Sequence, residues 1–468
     1  MKPNNAKRIH FTGIKGVGMT ALVLCAQDMG AVVSGSDIDE KFVTDEILEK
    51  RKISWKKGFS SANVSDSTEL LVFTASHRGA ANVEVLSALE KKISVLSQGQ
   101  AVGRFMKGKI GISICGVGGK STTASIMSVI LDKAKLHPSF VVGAGSIDPL
   151  GPAGRYDQKG KHFIAEADEY FDPSKNCPKF LFQAPKIIVL TNIEHDHPDV
   201  YPNLASTMKA YADFINCLPK DGLLVANQDN ANVRKVLATL KFSDIKVKTY
   251  GFSQKSNFQI KNYHIENQKA FFELNKEKYF IKVPGCYNAA NAAAAIVASK
   301  YLGLTYQQIK KGLAFFGGVK RRFEKVAEKN KISLYDDYAH HPSEIKAVLK
   351  AAKEWFKASR IIVIFQPHTY SRTKALLNDF AASFGDADKV IITKIYPSAR
   401  EKKDLSISGQ MLASEIKKQK TGVFYKQDCL SVCRYLKENI KKGDVIITLG
   451  AGDIFLWRED IKRVLKSL

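Results

Sequence analysis

Short runs of β-branched residues alternate with longer segments of helical pattern along most of the chain, and this alternation constrains the fold more than any other feature. Strands that take turns with helices are typical of parallel sheets, because parallel neighbours need a crossover connection. The predicted strands cover residues 8–13, 69–75, 110–115, 162–167, 186–191, 333–337, 361–366, 389–393 and 444–449. The fold class is therefore α/β with mainly parallel sheets.

Two segments carry clear helical signals. Pro342 is a favourable first-turn residue, and apolar side chains follow it at helical spacing. An alanine-rich segment predicts a second helix over residues 288–300, starting at Asn288 and followed by Gly303. Residues 253–282 are instead polar and alternating, which predicts a hairpin-rich excursion within the middle domain.

The length of the chain predicts three domains. Its 468 residues correspond to three units of about 150 residues each. With 45% hydrophobic and 25% charged residues, the composition is that of a globular protein able to bury several cores. We place the boundaries in the loops near residues 107 and 318, which gives domains over 1–107, 108–318 and 319–468.

The charge balance is strongly basic. There are 71 Lys and Arg residues against 46 Asp and Glu residues, a formal net charge of +25. Such a charge suits nucleic acid, an anionic membrane surface or phosphorylated small molecules. The basic residues are spread along the chain without a long block, which favours a solvated lysine-rich surface and predicts that nucleic acid is not a partner.

The chain also lacks the marks of export. Its basic start leads into only a few apolar residues, and no apolar stretch reaches the ~18–20 residues of a membrane helix. Its seven cysteines are scattered without a C-x-x-C pair, which predicts reduced thiols rather than a disulfide framework. We therefore expect a cytoplasmic protein without membrane insertion.

A glycine-rich loop between a predicted strand and a helix is the most specific local signal. It reads Gly116-Val-Gly-Gly-Lys-Ser-Thr-Thr123, and Ile114 stands where the usual phosphate-loop motif has its first glycine. Glycines let backbone N–H groups approach phosphate oxygens, and the helix N-terminus adds partial positive charge. Lys120 can neutralise β- and γ-phosphate charge, while the Ser121 hydroxyl suits Mg²⁺. The sequence predicts a nucleoside triphosphate site formed by Gly116, Val117, Gly118, Gly119, Lys120, Ser121 and Thr122.

Acidic and histidine residues follow two other predicted strands. One strand ends in Glu166-Ala-Asp-Glu169 and the next in Thr191-Asn-Ile-Glu-His-Asp-His197. Ligands of open α/β sheets bind at the carboxyl ends of the strands. These side chains can therefore converge on a divalent cation held against the phosphates.

A second glycine-rich turn follows the first predicted strand. Gly13-Ile-Lys-Gly-Val-Gly18 is followed about 20 residues on by Ser34-Gly-Ser-Asp37. This is the dinucleotide-fold arrangement, with glycines under a diphosphate and an acidic residue near a ribose. The same geometry holds a nicotinamide cofactor or the diphosphate of a nucleotide sugar. Two phosphate-binding turns in separate domains favour two different phosphorylated ligands.

Further motifs follow these five along the chain. They are Pro284-Gly-Cys-Tyr-Asn288 with Asn291, Gly318-Val-Lys-Arg-Arg-Phe-Glu324, Asp336-Asp-Tyr-Ala-His-His-Pro342, Phe365-Gln-Pro-His-Thr-Tyr-Ser-Arg-Thr373 and Ile395-Tyr-Pro397. With these motifs the chain resembles, over essentially its whole length, the Mur ligases, the ATP-dependent amide-forming enzymes of peptidoglycan precursor synthesis.

The resemblance implies an architecture and a reaction. The N-terminal Rossmann-like domain would bind the uridine diphosphate of the substrate, the central P-loop-type domain ATP, and the C-terminal Rossmann-like domain the amino acid while closing over both. The reaction would add L-alanine to UDP-N-acetylmuramate through an acyl phosphate, with ATP and Mg²⁺ or Mn²⁺ as cofactors. A monomer or a homodimer is expected.

The resemblance also implies roles for residues. The UDP-sugar would contact Gly13, Lys15, Gly16, Val17, Gly18, Met19, Ser36 and Asp37. The metal ions would be held by Ser121, Glu166 and His197. The nucleotide would also contact Asn288, Asn291, Arg322 and Asp337, and the amino acid Tyr338, His340, His368 and Arg372. The catalytic set would be Lys120, His197, His340 and Arg372.

Three alternatives remain at this point. Thr369 stands where the alanine-adding enzymes often have an arginine, which leaves the amino acid open. A ligase of the same family that joins UDP-N-acetylmuramate to a ready-made tripeptide is the nearest alternative. An NAD-dependent dehydrogenase would use the first glycine turn but leaves Lys120, Glu166 and His197 without a role. A nucleic-acid-binding P-loop protein would use the positive charge.

Overall fold

The computed structural model describes residues 6–172, 174–197, 199–240, 245–397, 401 and 403–467. It is an α/β structure built on three sheets. The chain forms two compact units. The first comprises the chain up to His264 together with Phe271–Ile281 and Asn288–Gly317, and the second comprises Ile265–Ala270, Lys282–Tyr287 and Gly318–Leu468.

The N-terminal part of the first unit is a five-stranded sheet with helical crossovers. Its strands are β1 (Arg8–Thr12), β2 (Val32–Asp37), β3 (Trp55–Lys57), β4 (Leu70–Phe73) and β5 (Ser94–Ser97). Its helices are α1 (Val17–Asp28), α2 (Asp45–Lys50), α3 (Val83–Glu90) and α4 (Gln98–Met106). The strand order is β3-β2-β1-β4-β5, and all pairs are parallel. Because the order reverses between β1 and β4, a ligand crevice is expected at their carboxyl ends.

The rest of the first unit is built on a larger sheet. Its strands are β6 (Ile110–Cys115), β7 (Ser139–Asp148), β8 (Gly151–Arg155), β9 (His162–Glu166), β10 (Ile187–Leu190), β11 (Leu223–Asn227), β12 (Lys246–Gly251), β13 (Phe258–Glu266), β14 (Lys269–Leu274) and β15 (Glu277–Ile281). Its helices are α5 (Lys120–Lys133), α6 (Leu204–Ile215), α7 (Ala231–Thr239), α8 (Cys286–Tyr301) and α9 (Tyr306–Phe315). The strands run in the order β15-β14-β13-β12-β11-β10-β6-β9-β7, with β8 antiparallel to β7.

Helix α1 joins the two sheets of the first unit. All its residues from Met19 to Ala26 are buried, so it lacks the polar face of a surface helix. A Cβ at Gly154 would collide with the backbone of Ala21, which shows how closely α1 lies against β8. On the same side, the Cys25 thiol donates to the Phe140 carbonyl at 3.5 Å.

The second unit is a six-stranded sheet between helices. Its strands in chain order are β16 (Gly318–Val319), β17 (Glu324–Lys329), β18 (Ile332–Asp337), β19 (Ile361–Phe365), β20 (Lys389–Ile392), β21 (Val423–Tyr425) and β22 (Val445–Leu449), where β16 lies outside that sheet. Its helices are α10 (Pro342–Trp355), α11 (Tyr370–Ala375), α12 (Leu377–Ala381), α13 (Gly409–Gln419), α14 (Cys429–Asn439) and α15 (Arg458–Ser467). The order is β17-β18-β22-β19-β20-β21, parallel except for β17.

The fold class and the predicted strands are confirmed, with strand ends within two residues of the prediction. The helix predicted to begin at Asn288 in fact begins at Cys286. The predicted hairpin-rich excursion is observed as β13, β14 and β15, which follow one another directly along the chain and are neighbours at one edge of the large sheet. The glycine-containing strand β7 was missed because glycine is a poor strand signal. Within the described residues, none of the helices combines the length and apolarity needed to cross a membrane.

Candidate active site

The phosphate loop connects β6 to α5 at the carboxyl edge of the large sheet. Helix α5 begins at Lys120, and its N-cap Gly119 has φ +84°, a backbone angle that residues other than glycine rarely adopt. A Cβ at Gly119 would lie 2.5 Å from Asn291 Oδ1, so α8 passes directly beside the loop. Asn291 in turn donates to Asn288 Oδ1 at 3.1 Å, which places both of these predicted nucleotide contacts beside the loop. Ser121 is buried and Thr122 half-buried in the first turn of α5.

Two residues at the end of β10 hold the loop in shape. The Gly118 N–H donates to Asn192 Oδ1 at 2.9 Å, and Thr191 Oγ1 donates to the Gly118 carbonyl at 2.6 Å. Val117, Gly118 and Gly119 are half-buried. Parallel pairing of β6 with β10 produces this arrangement, because it places their carboxyl ends side by side.

Lys120 is held by a buried carboxylate. Its ammonium donates to the Gly116 carbonyl at 2.7 Å and to both oxygens of Glu169 at 3.0 and 2.8 Å. The side chain of Lys120 is 16% exposed and that of Glu169 is 4% exposed. Burial alone would lower the pKa of Lys120, but the carboxylates of Glu169 and Asp168 outweigh it and the pKa is raised. The raised pKa favours the charged ammonium form of Lys120 in the loop.

A carboxylate–histidine cluster lies beside that ammonium. Single ligand-type atoms of Glu169, Asp196 and His197 all lie within 4.8 Å of one another. His197 Nε2 is 3.9 Å from Glu169 Oε1 and 3.7 Å from Asp196 Oδ2. Glu166, which was predicted as a metal ligand, accepts the Gly143 N–H at 2.6 Å through Oε1. Oxygen and imidazole donors of this kind fit Mg²⁺ or Mn²⁺.

Tyr170 and Tyr201 position the cluster, and sequence reasoning overlooked both. The Tyr170 ring meets the His197 ring edge-on with centroids 5.0 Å apart. The Tyr201 hydroxyl donates to the Glu169 carbonyl at 2.6 Å. Tyr170 lies directly after the acidic motif and Tyr201 four residues after His197, so proximity in sequence was the available signal.

The other glycine turn lies at the carboxyl end of β1. The N–H groups of Gly13 and Ile14 both donate to the Ser36 carbonyl, at 2.9 and 3.1 Å. Asp37 Oδ2 accepts the Lys15 N–H at 2.7 Å, and burial raises the pKa of Asp37. Asp37 is thus turned toward the backbone of the glycine turn.

Helix α1 begins directly after this turn. Gly16 is its N-cap, Val17 and Gly18 are half-buried in the first turn, and Met19 is buried. The Lys15 side chain is only 2% exposed, and its ammonium lies over Trp55 rather than at the rim of the crevice.

A fully buried glutamate lies behind the glycine turn, and sequence reasoning missed it. Glu84 Oε2 accepts from Ser36 Oγ at 2.5 Å and Thr12 Oγ1 at 2.7 Å, and lies 3.3 Å from His10 Nε2. Burial alone would raise the pKa of Glu84, but hydrogen bonds from His10, Ser36 and Asn63 outweigh it and the pKa is lowered. An ionised Glu84 thus sets the ends of β1 and β2. Sequence reasoning missed Glu84 because it lies far along the chain from these partners.

In the second unit, Asp337 is the last residue of β18 and His340 lies three residues after it. The carboxylate of Asp337 accepts the N–H groups of Phe323 and Ala339, both at 2.7 Å, and burial raises the pKa of Asp337 to about 6. His340 Nδ1 donates to the Tyr338 carbonyl at 3.0 Å, which leaves Nε2 as the basic nitrogen of the neutral ring.

Other predicted residues of the second unit lie around these two. The Arg322 guanidinium is 5.0 Å from the centroid of the Tyr338 ring. The His368 ring meets the His340 ring edge-on at 5.9 Å. Arg372 lies on α11, whose N-cap Thr369 accepts the Arg372 N–H at 3.4 Å. The structure therefore brings Tyr338, His340 and His368 together.

Comparison with known proteins gives a consistent match along the chain. Residues 8–110 match the model described as Mur ligase family, catalytic domain, residues 114–299 the Mur ligase middle domain, and residues 321–452 the Mur ligase, glutamate ligase domain.

Individual relatives extend this match. The chain is 39% identical to the UDP-N-acetylmuramate–L-alanine ligase of Acetivibrio thermocellus, over 97% of this chain and 95% of that protein. It is also 39% identical to the protein of the same name from Caldanaerobacter subterraneus, over 96% of each. The solved structure of the UDP-N-acetylmuramate-alanine ligase of Thermotoga maritima has the same fold, with a TM-score of 0.80, 24% identity and coverage of 98% of this chain and 99% of that one. The chain belongs to the Mur ligase family.

Proposed function

We propose that this chain is an ATP-dependent, ADP-forming ligase that joins L-alanine to the carboxylate of UDP-N-acetylmuramate. The observation that carries the proposal is the 39% identity to UDP-N-acetylmuramate–L-alanine ligases over nearly the full length of both proteins. Mur ligases are ATP-dependent, and a phosphate loop with a charged lysine is what that chemistry requires. A consumer of ATP and a nucleotide sugar is expected in the cytoplasm.

The reaction needs a carboxylate to become an electrophile. Transfer of the γ-phosphoryl group of ATP to the muramate carboxylate gives an acyl phosphate and ADP. Lys120 and the loop N–H groups stabilise charge that spreads over the transferring phosphoryl group. For this role Lys120 exchanges part of its contact with Glu169, 2.8 Å away, for phosphate oxygens. The alanine amine then attacks the acyl carbon and phosphate leaves.

A divalent cation fits the residues beside the loop. Glu169, Asp196 and His197 offer two carboxylates and an imidazole within 4.8 Å of one another. We propose that this cluster holds Mg²⁺ or Mn²⁺, with Ser121 and Glu166 as the further ligands that the family resemblance implies. When bound, the ion would neutralise phosphate charge during transfer.

The second unit supplies residues suited to an amino acid. Arg372 carries a planar fork that pairs with a carboxylate through two hydrogen bonds. We propose that His340 accepts or steers the amine proton through Nε2, since Nδ1 donates to the Tyr338 carbonyl at 3.0 Å. We propose Tyr338 and His368 as further contacts of the amino acid, and Arg322 and Asp337 as contacts of the nucleotide.

We also propose that the three domains predicted from sequence divide this work. Residues 1–107 would bind the UDP-sugar, residues 108–318 ATP, and residues 319–468 the amino acid. The family models cover residues 8–110, 114–299 and 321–452, so one model ends near the boundary at 107 and another begins near the boundary at 318.

The test is a substrate panel read by phosphate release. Purified protein is given ATP, Mg²⁺ and UDP-N-acetylmuramate together with L-alanine, glycine, L-serine or the tripeptide. We expect turnover with L-alanine, at the highest kcat/KM of the panel. Turnover with the tripeptide alone would assign the chain to the recycling ligases, and no ADP formation with any amine would contradict the proposal.

A further inference from the structure

Lys15 is an unusual member of the glycine turn at the end of β1, because its ammonium group is buried. Its side chain is 2% exposed. The ammonium lies 4.5 Å from the ring centroid of Trp55 and 4.9 Å from that of Phe42. It pairs with Asp45 Oδ1 at 3.1 Å and donates to the Glu40 carbonyl. Burying an ammonium is costly unless it is paired and hydrogen-bonded, and this surrounding cage meets that need.

The backbone of Lys15 is tied to the same region. Its N–H donates to Asp37 Oδ2 at 2.7 Å, and its carbonyl accepts the Thr44 hydroxyl. Every partner of Lys15 named so far lies between the end of β2 and the start of β3. Lys15 therefore ties the connection over residues 38–44 to the glycine turn through both its backbone and its side chain.

This connection borders the place where a nucleoside is expected. In dinucleotide-type folds the glycine turn lies under the diphosphate, and the residue at the end of the second strand lies near the ribose. Residues 38–44 follow that residue, Asp37, directly. Their conformation consequently shapes the wall against which the ribose and base of a uridine nucleotide would lie.

We propose that Lys15 is a positioning residue for the nucleotide sugar, which pre-forms the uridine pocket by clamping residues 38–44 to the glycine turn. The proposal rests on the proposed function, since it takes a uridine nucleotide as the ligand. It differs from a direct phosphate contact, because the ammonium is already surrounded by Trp55, Phe42 and Asp45. Pre-organisation of this kind raises affinity by lowering the ordering cost of binding.

The cage also explains why an apolar side chain would not serve. The faces of the two aromatic rings, the Glu40 carbonyl and the Asp45 carboxylate all create negative electrostatic potential around the ammonium nitrogen. A methionine side chain carries no positive charge that could interact with them. In Lys15→Met the Asp45 carboxylate would lose its cation while still accepting the Phe42 N–H at 2.9 Å. Residues 38–44 would then lose the side-chain part of their attachment to the turn and keep the bond between the Thr44 hydroxyl and the Lys15 carbonyl.

The test compares binding with turnover in three variants. Lys15→Met, Lys15→Arg and Lys109→Met are studied by calorimetry with UDP-N-acetylmuramate in the absence of ATP, and by the KM of each substrate. Lys109 is the matched control, since its ammonium lies 4.5 Å from the Tyr156 ring and donates to the Asp157 carbonyl at 2.8 Å, next to the amino end of β6. A melting curve of each variant reports folding.

We expect Lys15→Met to weaken UDP-N-acetylmuramate binding about 10-fold or more, with the KM for ATP within about 2-fold of wild type. Lys15→Arg keeps a cation for the cage and should recover most of the affinity. Lys109→Met should bind the nucleotide sugar like wild type. Should Lys15→Met fail to fold, Thr44→Val removes only the hydroxyl bond to the Lys15 carbonyl, and a measurable loss of affinity is again expected.

Three outcomes would overturn the inference while leaving the proposed function intact. They are wild-type affinity in a folded Lys15→Met, an equal rise of the KM for all three substrates, and wild-type affinity in Thr44→Val when Lys15→Met does not fold. If the wild-type protein itself binds no UDP-N-acetylmuramate, the proposed function fails, and the inference fails with it.

Discussion

The two glycine-rich turns of the first unit each carry a lysine, and the groups that surround the two ammonium groups differ. Lys120 opens helix α5 and donates to Glu169 at 2.8 Å, at the edge of a cluster of metal-ligand type. Lys15 lies in the turn before α1 and points into a cage of Trp55, Phe42 and Asp45. We propose that Lys120 exchanges a carboxylate for a phosphate, whereas Lys15 holds one part of the protein to another. A lysine in a glycine turn is thus not by itself evidence of phosphate contact.

Each turn also rests on a buried glutamate, and these glutamates differ as well. Glu169 is paired with the ammonium of Lys120. Glu84 is surrounded mainly by neutral donors, among them Ser36 at 2.5 Å and Thr12 at 2.7 Å. We infer that the phosphate loop is built for exchange of partners and the first glycine turn for rigidity.

The largest expected effect is that of Lys120→Met. Removing a charge that stabilises the transferring phosphoryl group is expected to lower kcat by about 1,000-fold. Binding of UDP-N-acetylmuramate without ATP should stay within about 2-fold of wild type, the reverse of the pattern for Lys15→Met. Steady-state kinetics and calorimetry check both. Turnover within about 10-fold of wild type would remove the contrast between the two lysines.

A smaller effect is expected from Gly119→Ala. Gly119 has φ +84°, and an added Cβ would lie 2.5 Å from Asn291 Oδ1, so the loop must shift. We expect the KM for ATP to rise about 10-fold or more. Gly108→Ala is the matched control, because Gly108 has φ +85° and no atom within 4 Å of the added Cβ. It should cost about 1 kcal/mol of stability with unchanged KM values. Equal kinetics of the two variants would contradict a rigid phosphate loop.

The smallest expected effect on turnover, and a clear one on stability, is that of Glu84→Gln. An amide cannot accept all the hydrogen bonds that the carboxylate accepts, so we expect a loss of about 2–4 kcal/mol in the free energy of unfolding. Glu90→Gln, an exposed change on the same helix, should cost less than about 0.5 kcal/mol. Denaturant unfolding measures both.

The lowered pKa of Glu84 adds a pH dependence to this prediction. A carboxyl whose pKa is depressed in the folded state stabilises the fold above its unfolded pKa, about 4.3, and loses that contribution as the pH falls through the folded value. The difference in unfolding free energy between wild type and Glu84→Gln should therefore shrink below about pH 4.3. A difference that stays constant or grows on acidification would show that Glu84 is not held as the ionised form.

Much of this architecture was predictable because its signals are local. The strand before the phosphate loop was predicted over residues 110–115, as observed in β6. The family resemblance and the implied ligase activity are supported by relatives along nearly the whole chain. The roles of individual site residues stay predictions. The structure brings Tyr338, His340 and His368 together, as expected for one binding site. The carboxylate of Glu166 accepts a hydrogen bond from the Gly143 N–H.

What the sequence by itself determined is the order of strands, helices and glycine turns, because backbone freedom and hydrophobic periodicity act over a few residues. The tertiary structure alone decided which way Lys15 points, that Glu84 lies under Ser36, and that Glu169 rather than Glu166 meets His197. Each of these depends on parallel pairing that brings together residues 27 to 48 positions apart. Burial and the resulting electrostatics act through space, so a linear pattern does not record them.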